Sequence, residues 1–136
     1  MLTLHFETSR RCEMQDISAA VQAVLDTHVT WKQGALLLYS PHTTCGLTVN
    51  EGADPDVKRD MLIFFNKMVP ESGDYHHVEG NSDAHIKTTL HGPSLMLPVE
   101  DGKLCLGTWQ SVYLCESDGP RHRSLWIQWL PGEENI

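Results

Sequence analysis

Residues 2–7 alternate, with Leu2, Leu4 and Phe6 on one side and Thr3, His5 and Glu7 on the other, which predicts a half-buried strand. Asp16 then stands as an N-cap before Ile17, Ala20, Val21, Val24 and Leu25, whose spacing is helical. Residues 35–39 form a short apolar run between Gly34 and Pro41, and residues 46–49 alternate more weakly; both predict strands. The clearest element opens at Asp54-Pro55-Asp56, where a capping carboxylate, a proline at the first helical position and an acid in the first turn agree. Val57, Met61, Phe64, Phe65 and Met68 give this helix one apolar face, and Pro70 follows its end.

Asn81-Ser82-Asp83 is a second cap region, predicting a short helix to residue 90 that Gly92-Pro93 closes. Beyond it the pattern is β. Leu95, Leu97 and Val99 alternate, Glu100-Asp101-Gly102 reads as a hairpin turn, and residues 104–106, 110–115 and 124–130 read as further strands, with Asp118-Gly119-Pro120 as the last turn. Two or three helices among many short antiparallel strands predict an α+β fold with the helices packed against the sheet. No repeat or linker divides the 136 residues, so one domain over residues 1–136 is expected.

Composition narrows the function classes. Apolar residues make up 40% of the chain, enough for one core without disulfides. The formal net charge of -8 argues against nucleic acid and anionic membrane as partners, so a phosphate-bearing ligand needs a local positive site. The first residues lack a basic then apolar leader, and no run approaches the ~20 apolar residues that span a bilayer. Cys12, Cys45, Cys105 and Cys115 are scattered with no CxxC pair, and reduced thiols in a cytoplasmic protein are expected.

The eight histidines are the compositional excess. His42, in Ser40-Pro41-His42-Thr43-Thr44-Cys45, follows a buried strand, at a loop. Taken alone, a loop histidine is more often solvated or merely hydrogen-bonded than a ligand. Residues 75–87 hold His76, His77 and His85 with Glu79 and Asp83; a zinc site of three protein ligands draws on these residue types, and a histidine-rich polar loop is the alternative. His76 and His77 are adjacent and point apart in extended backbone, so one of them serves. His85 falls in the first turn of the predicted helix, where the helix dipole favours the neutral imidazole that binds metal.

A third cluster joins Gly107-Thr108-Trp109-Gln110 to Glu116 and to Arg121 and Arg123. Trp109 and Gln110 suit a flat heteroaromatic ligand, and the arginines suit phosphate; a core tryptophan and solvated turn arginines are the alternative. Glu51 either orients a histidine or ends its strand. His5, His28, His91 and His122 read as structural or solvated. A Cys45–His42 nucleophile lacks an orienting partner.

Pro41-His42-Thr43-Thr44, Leu47-Thr48-Val49-Asn50-Glu51, Asp54-Pro55-Asp56-Val57, Tyr75-x-His77 with Glu79-Gly80, Ala84-His85-Ile86-Lys87, Gly92-Pro93-Ser94-Leu95 and Gly107-Thr108-Trp109-Gln110 together resemble the YjbQ family, the secondary thiamine-phosphate synthases. The resemblance implies an antiparallel two-layer β core and a homotrimer. It also implies a divalent metal, usually zinc, held near a subunit boundary by histidines that map onto His42, His77 and His85. Cys45 stands where a small residue is more usual, which places a thiol beside that metal. The implied activity joins hydroxymethylpyrimidine diphosphate to thiazole phosphate, releasing pyrophosphate. Glu51, Trp109, Gln110 and Arg121 are then the expected catalytic residues, with metal and arginine stabilising the leaving charge. The chain has no aspartate-rich motif for a magnesium–diphosphate cluster. Two alternatives stand beside this: a non-catalytic trimeric module that binds metal or ligand, and a metal-assisted hydrolase of a phosphorylated small molecule with Glu51 or Glu79 as base.

Overall fold

The structure, a computed structural model, describes residues 1–133. Eleven elements follow in order: β1 (Leu2–Glu7), β2 (Glu13–Asp16), α1 (Ser18–His28), β3 (Gly34–Tyr39), β4 (Cys45–Glu51), α2 (Pro55–Met68), α3 (Ser82–His91), β5 (Ser94–Glu100), β6 (Lys103–Leu104), β7 (Gln110–Glu116) and β8 (His122–Pro131). They build a five-stranded sheet in the order β1-β8-β3-β5-β6 and a three-stranded sheet in the order β2-β7-β4. Every strand pair is antiparallel. The expected α+β class and two-layer β core are both present.

The alternation read from the sequence sets which face is buried. Leu36 and Leu38 of β3 lie opposite Leu97 and Leu95 of β5 and opposite Trp129 and Ile127 of β8. These side chains meet Leu47, Val112 and Leu114 from the smaller sheet, and Val21, Val24 and Leu25 of α1 join them in one apolar cluster. Each fully buried leucine there contributes roughly 1.5–3 kcal/mol. The other face of the smaller sheet, with Met14, Tyr113 and Cys115, is covered by Met61 and Leu62 of α2. Strand β7 is therefore covered on both faces, and its residues from Val112 to Glu116 are buried.

Three expectations need correction. Strand β2 was not foreseen, because Glu-Met-Gln-Asp carries one apolar residue and gains its order from pairing with β7. Asp16 ends that strand instead of capping α1; Ile17 takes the N-cap position, although the Asp16 carboxylate still accepts from the Ser18 N–H at 2.9 Å. The strand expected over 104–106 stops at Leu104: Cys105 N–H still donates to Pro98 O in register with β5, but Pro98 has no N–H with which to carry the ladder on.

Helix α2 is capped by Asp54, which accepts from the Asp56 N–H at 2.9 Å, with Pro55 at the first position as expected. Its apolar stripe is only half used. Phe64 and Met68 are 59% and 48% exposed, because the helix lies on the outside of the small sheet. Helix α3 runs against β4 and ends at Gly92, whose φ of 94° is a left-handed conformation that suits glycine. A Cβ on Gly46 of β4 would stand 2.8 Å from Gly92 O and 3.0 Å from His91 Cβ, so Gly46 sets how closely α3 approaches the sheet. No helix among the described residues is long and apolar enough to cross a membrane.

Candidate functional site

A cleft of about 430 Å³ opens where the β3–β4 turn, the loop before α3, the start of α3 and the β7–β8 turn converge. It gathers His42, His77 and His85, with Asn81, Asp118 and Arg121.

His42 is placed by its turn. Ser40 Oγ donates to Cys45 O at 2.6 Å and closes residues 40–45. Ser124 N–H of β8 then donates to His42 Nε2 at 2.8 Å. In the neutral ring Nδ1 therefore carries the proton, and neither nitrogen is free to bind a metal while the Ser124 bond is made. Burial, helped by the positive charge of Arg123, lowers the His42 pKa below the ordinary value and keeps the ring neutral.

His85 stands in the first turn of α3, as its spacing predicted, and His77 sits on the loop before that helix. Gly80 N–H turns back to His77 O at 3.2 Å, using the positive φ of Gly80. The two rings meet edge to face with centroids 5.5 Å apart, and His77 Nε2 lies 3.8 Å from a Glu79 oxygen. This pair is close enough to serve one ion. His42 lines the same cleft without joining them: among the described residues no three histidine, cysteine, aspartate or glutamate side chains come together as a metal group. A three-ligand site would need His42 to leave Ser124 and join the His77–His85 pair. His76 faces Asp74 at the surface.

Behind the cleft lies a buried ion pair that the sequence reading missed. Arg123, expected beside Arg121 as a phosphate clamp, is 4% exposed and turns inward. Its Nε donates to Glu116 Oε1 at 2.8 Å, and its Nη2 bonds both Glu116 Oε2 and, at 2.8 Å, Thr44 Oγ1. Glu116 also accepts from Thr8 Oγ1 at 2.7 Å and from the N–H groups of Ser117 and Asp118. Burial alone would raise its pKa, but these hydrogen bonds and the guanidinium hold it below the ordinary carboxylate range. Arg123 alternates in step with the buried Leu125 and Ile127 of β8, whereas Arg121 precedes the strand; that register was the signal separating the two arginines.

Arg121 stays at the rim. Its Nε donates to Asp118 O at 2.8 Å and its Nη2 to Asp118 Oδ2 at 3.0 Å. Asn81 Nδ2 donates to the same Oδ2 at 2.7 Å. Asn81 Oδ1 is buried and has no protein partner among the described residues. Asn81 precedes α3 as expected, but its side chain serves Asp118 instead of capping the helix.

The other expected catalytic residues lie elsewhere. Glu51 and Trp109 line a separate, open groove with Asp54 and Pro55 at the start of α2. Trp109 is 65% exposed, not a core residue. Gln110 Oε1 accepts from Gly107 N–H at 2.7 Å and closes its own turn. Glu51 Oε2 accepts from Ala53 N–H at 2.9 Å and shapes the approach to α2. Within one chain these three residues do not join the histidine cleft.

Cys45 is fully buried, and burial, with Glu116 adding to it, pushes its thiol up to about 12, which removes it as a nucleophile. The remaining histidines have structural neighbours or face solvent: His28 stacks on Trp129, His91 meets Phe65 edge-on, His122 faces Glu7 at the surface, and His5 lies near Ser124 Oγ.

The model of the family described as UPF0047 protein YjbQ-like matches residues 2–132. The chain is 48% identical over 130 residues to the UPF0047 protein YugU of Bacillus subtilis (strain 168), covering 94% of this chain and 97% of that relative. A UPF0047 protein of Methanocaldococcus jannaschii is 43% identical over 123 residues, covering 90% of this chain and 88% of its own. Among solved structures, an uncharacterized conserved protein of the YjbQ/UPF0047 family from Clostridium acetobutylicum superposes with a TM-score of 0.92 at 44% identity, covering 96% of this chain and 100% of that one. A conserved hypothetical protein of Thermus thermophilus gives a TM-score of 0.88 at 43% identity, covering 96% and 100% of the two chains.

Proposed function

The chain belongs to the YjbQ-like UPF0047 family, and from that premise we propose that the histidine cleft is the active site of a metal-assisted enzyme acting on a phosphorylated small molecule. The reaction that the sequence resemblance implies, transfer of the thiamine-phosphate synthase type, is the one proposed. The carrying observation is that His42, His77 and His85 line one cleft with Arg121 and Asn81.

The charges of the cleft support a metal. Arg121 and Arg123 are its cations, and Asp118 and Glu79 its anions, so a phosphate ligand meets no net positive charge from the protein. His77 and His85 would hold the ion, with His42 or the ligand completing its sphere. A divalent metal, zinc by resemblance, would supply Lewis-acid charge for the departure of phosphate. The protein's own groups bind and orient. Arg121 keeps Nη1 for phosphate while Asp118 fixes the rest of its guanidinium. Incubation with hydroxymethylpyrimidine diphosphate and thiazole phosphate, in the presence of zinc, is expected to yield thiamine phosphate; no product above a His85→Ala control refutes the synthase reading. Glu79 in the cleft favours a second reading, metal-assisted hydrolysis, which the same assay separates by release of inorganic phosphate without condensation.

The proposed assembly is the homotrimer. Its support is the outer face of the large sheet, where Tyr39 stacks on Trp126 at 5.9 Å and Met96 lies opposite Leu37, with Met96 57% exposed. Apolar residues on the central strands of a sheet are the surface that association covers. Trp109, Gln110 and Glu51 enter the reaction only if a neighbouring copy brings them to the histidines. Met96→Asp is expected to convert a trimer into monomers by light scattering while leaving the strand pattern intact. A wild type that is monomeric at micromolar concentration excludes the assembly.

A further inference from the structure

We propose that Arg11, in the segment between β1 and β2, is a positioning residue that fixes the distance between His85 and Arg121; the proposal rests on the cleft being the functional site described above. No sequence motif includes Arg11. Its guanidinium forks to two elements: Nη2 donates to Asp83 Oδ1 at 3.0 Å and Nη1 to Asp118 Oδ1 at 3.4 Å. Glu71 lies 3.5 Å from Nη1 at the surface.

Each carboxylate passes the constraint on. Asp83 is fully buried, and its second oxygen accepts from Lys87 Nζ at 3.1 Å. Lys87, itself 3% exposed, also donates to Asn66 Oδ1 of α2 at 2.8 Å. Asp83 and Lys87, one turn apart on α3, thus form its inward face, while His85 between them lines the cleft. At the other end, Asp118 Oδ2 holds Asn81 and Arg121. Gly119 N–H donates to Arg11 O at 2.9 Å, which ties the same turn to the Arg11 backbone. One planar cation therefore spans the helix that carries His85 and the turn that carries Arg121.

Only the arginine fork makes both contacts, because the ammonium of lysine is a single point charge. Arg11→Lys keeps the charge and separates positioning from bulk electrostatics. The variant is expected to unfold cooperatively near the wild-type temperature. Its affinity for zinc alone, by calorimetry, is expected to fall by roughly 10–100-fold, the effect of losing a partner that orients a ligand. The Arg121 Nε–Hε resonance is expected to shift, since the Asp118 carboxylate that holds Nη2 of the same guanidinium loses its Arg11 partner. Unchanged zinc affinity together with an unmoved Arg121 resonance overturns the proposal. If the wild type binds no zinc, the metal reading fails on its own, and the Arg121 resonance still decides the positioning role. Should Arg11→Lys fail to fold, Arg11→Ala with added ethylguanidinium takes its place; recovery of the wild-type Arg121 resonance supports the role, and no recovery in a folded variant refutes it.

Discussion

Replacing Arg123 with methionine is expected to destabilise the fold by about 3–5 kcal/mol, the cost of removing one partner of a buried ion pair. Arg123 and Glu116 are 4% and 2% exposed, and the arginine is the counter-charge in contact with that carboxylate. Without it Glu116 keeps its bonds from Thr8, Ser117 and Asp118 but carries an uncompensated charge in the interior. The turn at residues 40–45 also loses the guanidinium that holds Thr44. A fall in the urea midpoint at unchanged m-value measures the effect. Glu116→Gln added to Arg123→Met is expected to recover part of the loss, because no charge then remains buried.

The pH dependence has a definite sign. In the wild type the Glu116 carboxyl lies below its ordinary range when folded, so the unfolded chain binds the proton more readily. Its stabilisation is complete above the unfolded value of about 4.3 and is lost as pH falls through the folded value. In Arg123→Met the loss of the guanidinium raises the folded value of Glu116 above that of the wild type, so protonation costs the variant less stability than it costs the wild type. The gap between the two proteins should narrow as pH is lowered from about 7 towards about 4. A constant gap contradicts an ionised Glu116 as the source of the loss.

His85→Ala and His77→Ala are expected to lower zinc affinity by more than the roughly 10–100-fold that follows loss of a partner outside the coordination sphere. The two rings lie 5.5 Å apart and provide the only closely paired imidazoles of the cleft among the described residues. His42→Ala is expected to cost less, because His42 Nε2 is engaged by the Ser124 N–H and the ring stands apart from the pair. Metal content of the wild type beside the three variants, after equal exposure to zinc, reads this order. Full metal in all three removes the histidines as ligands. A loss led by His42 means that the turn at residues 40–45 rearranges on binding.

Local chemistry made several elements legible. Asp54-Pro55 started α2, Gly92 ended α3, and alternation set the buried faces of β3, β5 and β8 because a strand with one wet face must alternate. His85 on the first turn of α3 followed from the same cap signals. Strand β2 was not legible, since its order comes from β7, far along the chain, and not from its own residues. The histidines of the cleft were found as residue types at loops, but whether they met was not readable. Trp109, Gln110 and Glu51 looked like members of the same site, yet Trp109 and Glu51 line another groove and Gln110 closes its own turn.

The sequence by itself determined the α+β class, most element boundaries and the short set of histidines worth following, because caps, turns and hydrophobic period act over a few residues. The tertiary structure alone decided that Arg123 faces Glu116 and not a ligand, that His77 and His85 pair while His42 stands apart, and that Arg11 bridges α3 to the β7–β8 turn. Those contacts join elements brought together only by the fold, and their geometry depends on how two sheets and three helices pack. Alternation along β8 marks Arg123 as inward-facing, but which partner a charge meets across such distances leaves no trace in a single sequence.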